Sequence, residues 1–222
     1  SGVDLISRKL IVTSGPTREW LDPVRFISNP SSGRMGWSIA KAGVGLFKSV
    51  VYIAGPGSEA FRNVEGAHNV AVDTTENMLS AVLEALEKNC VLIMAAAPAD
   101  YAPVEFASAK IKKDPARNLN VEFRPTPDIL MEVGANAPDG MLRIAFAAET
   151  DHVRENALIK MQKKKVDFIC ANQVFKDGMG FATESGSLLI LDKNGAEKKL
   201  GPAPKDALGQ ELVSFVAEHL NS

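Results

Sequence analysis

Cysteine, tryptophan, tyrosine and histidine are all scarce: among 222 residues there are two cysteines, two tryptophans, two tyrosines and three histidines. Cys90 and Cys170 each border an apolar, strand-like run, where a small buried hydrophobe is the ordinary reading. Their spacing fits neither a redox pair nor a zinc site, and His68, His152 and His219 are too scattered to complete one. Reduced thiols and no structural metal are therefore expected. An excess of one charge is missing too: 25 Lys and Arg stand against 27 Asp and Glu, for a net charge of -2. Nothing in that balance draws the chain toward nucleic acid or an anionic membrane. No apolar run is long enough to cross a bilayer and the first residues lack a secretory pattern, so the cytoplasm is the expected compartment. A Gly-x-Gly-x-x-Gly turn behind the first strand-like run is also absent, and Ala54-Gly-Pro56 stands where an acidic residue would close the second. Both absences weigh against a nicotinamide dinucleotide enzyme, the rival that the strand and helix pattern alone would suggest.

What is present is enough apolar material, 45% of the chain, for one sizeable core over residues 1–222. Strand-like runs recur at Leu10-Ile-Val12, 50–54, 91–96, 143–147 and 167–171. Helical spacing appears between them. Residues 34–42 repeat at that period, residues 77–87 place Met78, Leu79, Val82, Leu83 and Leu86 on one face, and residues 153–164 carry a weaker stripe. Strands alternating with helices predict a mostly parallel, Rossmann-like sheet in three layers, with ligands held beyond the carboxyl ends of its strands. One glycine of Lys41-Ala-Gly-Val-Gly-Leu-Phe47 is expected to stop the first helix. Residues 100–127 form the only long irregular segment and predict a flap with some strand pairing. Gly186 to Gly195 reads as a strand entering an Asn-Gly turn, hence a C-terminal β-hairpin, and an amphipathic helix from about 205 to 220 follows.

The polar loop Gly15-Pro-Thr-Arg-Glu-Trp-Leu-Asp-Pro-Val-Arg-Phe-Ile-Ser-Asn-Pro-Ser-Ser-Gly33 follows the first strand. It crowds Arg18, Asp22, Arg25 and Asn29 into a segment long enough to need a reason for its order. Ser31, Ser32 and Gly33 end it at a helix N-terminus, where unpaired N–H groups and the helix dipole favour a phosphate; an ordinary helix cap fits the same three residues. After the third strand, Ala95-Ala-Ala-Pro-Ala-Asp-Tyr101 combines small residues, which admit a flat ring or a phosphate chain, with one carboxylate. Asp100 suits a magnesium ion on a nucleotide or, as simply, a cap. Lys110-Ile-Lys-Lys113 reads as a solvated basic turn or a phosphate clamp. Asp128 opens a helix behind Pro127, Phe146 sits in a strand, and Lys160, Lys163, Lys164 and Lys165 crowd a helix end, where lysines oppose the dipole.

Taken in order, the residues 15–36, Ala-Asp-Tyr101, Lys110-x-Lys-Lys, Pro127-Asp-Ile, Phe146-Ala-Ala-Glu-Thr150, Asp167-x-Ile-x-Ala-Asn172 and Gly178-Met-Gly-Phe181 resemble bacterial phosphopantothenoylcysteine synthetase. The resemblance runs through nearly the whole chain. It implies a ligase that uses CTP with Mg2+ to activate 4′-phosphopantothenate as an acyl cytidylate, which cysteine then discharges. By matching position, Lys110 is the flap lysine that offsets charge as pyrophosphate leaves, and Asn29, Arg25 and Ala97 position the acyl intermediate. The implied nucleotide residues are Gly15, Ser31, Ser32, Gly33, Met94, Ala95, Ala96, Asp100, Lys110, Pro127, Asp128, Ile129, Leu130, Phe146, Lys160 and Lys164, with Asp100 toward the metal. The resemblance also implies a homodimer and, in many members, a flavin-dependent decarboxylase fused at the N-terminus. Pro98 departs from the family, which usually has an apolar β-branched residue there, and keeps an inactive nucleotide-binding scaffold as the alternative.

Overall fold

The apolar run that opens the chain becomes the central strand of its sheet. The computed structural model describes residues 4–149, 153–173 and 185–222. β1 (Lys9–Ser14) leads into the long loop, which carries a two-residue hairpin of β2 (Glu19–Trp20) and β3 (Phe26–Ile27). α1 (Arg34–Gly43) follows and stops at Val44, with Gly45 in the left-handed region at φ 85°, the conformation expected of a glycine stop. β4 (Ser49–Ala54) and β5 (His68–Ala71) come next, then α2 (Thr75–Ala85). α2 begins two residues before the apolar period does. The cause is a capping box: the Asn77 N–H donates to Thr74 Oγ1 at 3.1 Å and the Thr74 N–H donates to Asn77 Oδ1 at 3.2 Å.

β6 (Val91–Met94) is followed by β7 (Tyr101–Pro103) and β8 (Phe123–Pro125), which pair antiparallel and form the base of the flap. α3 (Ile129–Ala135), β9 (Leu142–Glu149), α4 (Val153–Lys164) and β10 (Phe168–Gln173) continue the alternation. The hairpin of β11 (Ser185–Asp192) and β12 (Glu197–Pro204) and the helix α5 (Lys205–Asn221) complete the chain as predicted.

The main sheet runs β12-β11-β10-β9-β6-β1-β4-β5. From β10 to β5 every neighbouring pair is parallel, and the terminal hairpin adds two antiparallel strands. The chain leaves β1 toward β4 and β5, then crosses back to β6, β9 and β10. The order therefore reverses between β1 and β6, and loops leaving adjacent strands there diverge to opposite faces and open a crevice. Alternation along β1 divides the core. Leu10 and Val12 pack beneath α1 and α5 with Ile39, Leu208, Leu212 and Val216, whereas Ile11 faces Met78, Val82, Val133 and Met161 from α2, α3 and α4. This is the expected three-layer α/β architecture. Cys90 and Cys170 are buried, unpaired members of the two layers, and burial pushes the Cys170 thiol up to about 12.

Candidate active site

A cavity of about 520 Å3 lies beyond the carboxyl ends of β6, β9 and β10, at the reversal of strand order. Its floor is the small-residue turn Ala95 to Asp100 that follows Met94, which admits a ligand against backbone because no side chain there is larger than proline until the aspartate. Pro127 to Leu130, at the start of α3, make one wall. Phe146 presents a half-buried ring from β9, and Lys160 and Lys164 reach in from α4, one helical turn apart. Asn29 and Pro30 close the side nearest the long loop. Two cations, a flat ring and accessible backbone are the groups a nucleotide requires.

Hydroxyls hold the floor. The Ala99 N–H donates to Thr17 Oγ1 at 2.9 Å, and the Ala99 carbonyl accepts from Thr126 Oγ1 at 2.7 Å. Thr17 Oγ1 in turn lies 3.0 Å from Thr75 Oγ1, and the buried Glu19 carboxylate accepts from both the N–H and the hydroxyl of Thr75, at 2.9 and 2.7 Å. Both backbone polar groups of one floor residue, Ala99, are thus satisfied by side chains, which fixes the turn without a regular ladder. Asn29 Nδ2 donates to the carbonyls of Ala97 and Pro98 at 3.3 and 3.0 Å. Pro98 removes an N–H there but leaves the carbonyl that Asn29 uses.

The N-terminus of α1 is built by close approach of backbone. Gly33 has φ 85°, a left-handed conformation, and a Cβ on Gly36 would lie 2.6 Å from Ser14 Cβ, so helix and strand meet where no side chain fits. Ser14 Oγ donates to the Gly33 carbonyl at 2.8 Å, and the buried Tyr52 hydroxyl contacts Ser14 Oγ at 2.8 Å and the Phe61 carbonyl at 2.5 Å.

Asp22 is the most enclosed charge among the described residues, with a side chain fully shielded from solvent. Burial by itself would raise its carboxyl, but N–H donors from Ile111, Val24 and Arg25 and the Arg25 guanidinium together hold it at about 2. Arg25 also donates to the Ile111 carbonyl. At the cavity wall, Asp128 caps α3 by accepting from the Met131 N–H at 3.2 Å, and its second oxygen lies 3.0 Å from Lys164 Nζ.

The model of the DNA/pantothenate metabolism flavoprotein C-terminal domain matches residues 5–220. The chain belongs to this family. Among curated members it is 38% identical to the coenzyme A biosynthesis bifunctional protein CoaBC of Haemophilus influenzae and 35% identical to that of Vibrio vulnificus, over 97% and 96% of this chain. It spans about half the length of those relatives, 52% of each. The crystal structure of the C-terminal domain of a CoaBC protein superposes with a TM-score of 0.77 at 30% identity, covering 99% of both chains.

In this member of the flavoprotein C-terminal domain family, the cavity gathers Asn29, Met94, Ala95, Ala96, Ala97, Asp100, Pro127, Asp128, Ile129, Leu130, Phe146, Lys160 and Lys164 from the residues singled out in the sequence. Gly15, Ser31, Ser32, Gly33, Arg25 and Lys110 are not among its lining residues. Gly15 borders the floor, since its carbonyl accepts from the Ala97 N–H at 2.9 Å; the Ser32 carbonyl accepts from the Ser58 N–H after β4, and the Gly33 carbonyl from Ser14 at the end of β1. Lys110 stands exposed on the flap. Thr75, Thr126 and Asn172 line the cavity without having been singled out as site residues; for Asn172 the motif Asp-x-Ile-x-Ala-Asn was the available signal. The side chains of Glu149 and Thr150 and the Gly178-Met-Gly-Phe181 motif lie outside the described residues. No group of three or more His, Cys, Asp or Glu suited to a metal occurs among the described residues, and no described helix is long and apolar enough to cross a membrane. Two exposed carboxylates line the cavity, Asp128 beside Lys164 and Asp100, and this set suits an ion carried in by a triphosphate, since magnesium so bound takes only one or two protein carboxylates.

Proposed function

We propose that this chain is a phosphopantothenate–cysteine ligase of coenzyme A biosynthesis. CTP reacts with the carboxylate of 4′-phosphopantothenate to give an acyl cytidylate and pyrophosphate, and the amine of L-cysteine attacks the acyl carbon and expels CMP. The observation that carries the reading is the cavity at the strand-order reversal, where a ring, two lysines and a bare backbone turn converge on a chain of this family.

Phe146 and the Ala95–Ala96 backbone take the cytosine, Lys160 and Lys164 attract the phosphates, and Asp128, already set by its cap and by Lys164, accepts from a ribose hydroxyl. Asp100 holds Mg2+, which when bound screens the charge of the triphosphate. Asn29 has both amide hydrogens engaged; exchanging the longer bond, 3.3 Å to Ala97, for the acyl oxygen provides a donor where negative charge develops. Arg25 and Ala97 position the acyl intermediate, the α1 N-terminus at Ser31–Gly33 offers its N–H groups to a phosphate of the nucleotide, and Lys110 meets the departing pyrophosphate. No side-chain nucleophile is needed, because both steps depend on alignment and charge neutralisation.

The two hairpins β2–β3 and β7–β8 lie side by side and expose Val24, Phe26, Ile27, Tyr101, Val104 and Phe106. Apolar surface of this kind marks a partner site, and the reading assigns it to a second copy of the chain. A flavin-dependent decarboxylase acting on the product is the expected companion, and the cytoplasm the expected compartment. The test is pyrophosphate release with Mg2+, 4′-phosphopantothenate and either CTP or ATP, with and without cysteine, following the adduct by mass spectrometry. CTP-dependent release and an acyl-CMP mass that cysteine discharges support the ligase; silence with both nucleotides in a folded chain that binds CTP supports an inactive scaffold. A monomer in sedimentation at working concentration contradicts the dimer.

A further inference from the structure

Asp22 belongs to the long loop, yet it does not line the nucleotide cavity, and a fully buried carboxylate requires an explanation. Its Oδ1 accepts from the N–H groups of Val24 and Arg25, both at 2.8 Å. Its Oδ2 accepts from Arg25 Nε at 3.0 Å and from the Ile111 N–H at 3.0 Å, and lies 2.9 Å from Arg25 Nη2. Arg25 Nη2 also donates to the Ile111 carbonyl. The Asp22–Arg25 pair therefore grips both backbone polar groups of one flap residue. A second attachment lies four residues earlier, where the Ala107 N–H donates to the Leu21 carbonyl at 3.0 Å. Beyond Ile111, residues 112–120 are exposed, and the polar contacts described there are local, from Asp114 to Ala116 and Arg117. Lys110 thus sits on the anchored part of the flap, whereas Lys112 and Lys113 sit beyond the last attachment.

We propose that Asp22 is a positioning residue that, through Arg25 and the Ile111 peptide, fixes the backbone from which Lys110 addresses the triphosphate. The inference rests on the ligase reading for the role of Lys110 but not for the existence of the grip. Burial is what makes the grip firm, because charge-assisted hydrogen bonds strengthen where water is excluded. A lysine is a point charge on a flexible stem, so the direction it serves is set by where its backbone is held.

Three measurements test this. In the wild-type chain, amide hydrogen exchange at Ile111 should be slow while the amides of Lys112 and Lys113 exchange freely. Asp22→Asn retains the size but replaces one acceptor oxygen by an N–H2 group that opposes the donors. It should raise trypsin cleavage at Lys110, Lys112 and Lys113 roughly tenfold and lower single-turnover pyrophosphate release roughly tenfold, the scale of one lost charge-assisted hydrogen bond. In a Lys110→Ala background the same change should cost about twofold or less, since contributions through a shared group do not add. Equal losses in both backgrounds would overturn positioning through Lys110, and fast exchange at Ile111 would overturn the grip even if the Asp22 variant does not fold. A wild-type chain that releases no pyrophosphate but protects Ile111 would overturn the ligase reading and leave the grip standing.

Discussion

Replacing Tyr52 by Phe removes one oxygen from a place without solvent. The tyrosine is 0% exposed, and its hydroxyl lies between Ser14 Oγ at 2.8 Å and the Phe61 carbonyl at 2.5 Å, while Ser14 Oγ donates onward to the Gly33 carbonyl. Two hydroxyl protons serve these three contacts, so the loss is set at one to two neutral hydrogen bonds, about 2 kcal/mol. For a chain of this size that is about 4–8 °C in Tm. A second, independent consequence follows from titration. Burial raises the Tyr52 hydroxyl from 10.0 to about 12, against the smaller opposing effect of the Ser14 hydrogen bond. A group raised on folding contributes stability that is complete below its unfolded value of 10.0 and is lost as pH rises toward 12. At pH 11 the loss is about 1.4 kcal/mol, and Tyr52→Phe cannot suffer it. Urea unfolding followed by circular dichroism at pH 8 and pH 11 reads both effects as the difference between the two proteins. The gap should be about 2 kcal/mol at pH 8 and narrow by more than half at pH 11. A gap that is absent at pH 8, or unchanged at pH 11, would refute the reasoning.

Gly36→Ala places a methyl 2.6 Å from Ser14 Cβ and 2.8 Å from its hydroxyl, so α1 must shift; a loss of about 1–3 kcal/mol is expected in chemical denaturation, and none would mean the helix shifts freely. Asp128→Ala removes the cap of α3 and the counter-charge of Lys164 together, for about 1 kcal/mol of stability and a change in nucleotide KM; titration with CTP and a melting curve check the two parts. Lys110→Ala should slow pyrophosphate release by roughly 10²–10³ in single-turnover assays, as expected when a transition-state charge partner is removed, and a smaller effect on this step than on cysteine addition would reverse the assignment. Asp22, whose folded carboxyl lies at about 2 instead of 3.8, contributes stability that is present above pH 3.8 and lost as pH falls toward 2. Asp22→Asn should therefore flatten acid unfolding between those values, measured as the unfolding midpoint against pH.

Most of the sheet's strands and the helices were legible because each buries a face at its own period, and β1, α1, α4 and the terminal hairpin appear within a residue or two of where the pattern places them; β5, an edge strand that buries little, left no such run. α2 begins early because a capping box lies outside the apolar stripe. The short hairpins β2–β3 and β7–β8 are too brief to show alternation, and the strand pairing expected within residues 100–127 reduces to Tyr101–Pro103 with Phe123–Pro125. Most of the cavity lining was legible for a different reason: the run of small residues at 95–100, closed by an aspartate, leaves backbone bare and so stands out as a motif. Thr75 and Thr126 left none, since a threonine that orders a floor peptide looks like any other in the chain.

Local chemistry alone determined the alternating elements, the absence of a metal-ligand pattern, the phosphate-friendly loop and the membership that its motifs announce. Tertiary structure decided which of those loops meet. Asp22 and Ile111 stand 89 residues apart, Tyr52 and Ser14 stand 38 apart, and Thr17 and Ala99 stand 82 apart. Each pair is a hydrogen bond whose worth depends on exclusion of water, and that depends on how helices cover the sheet. The strand-order reversal between β1 and β6, which opens the cavity, is likewise a property of the assembled sheet and of no single segment.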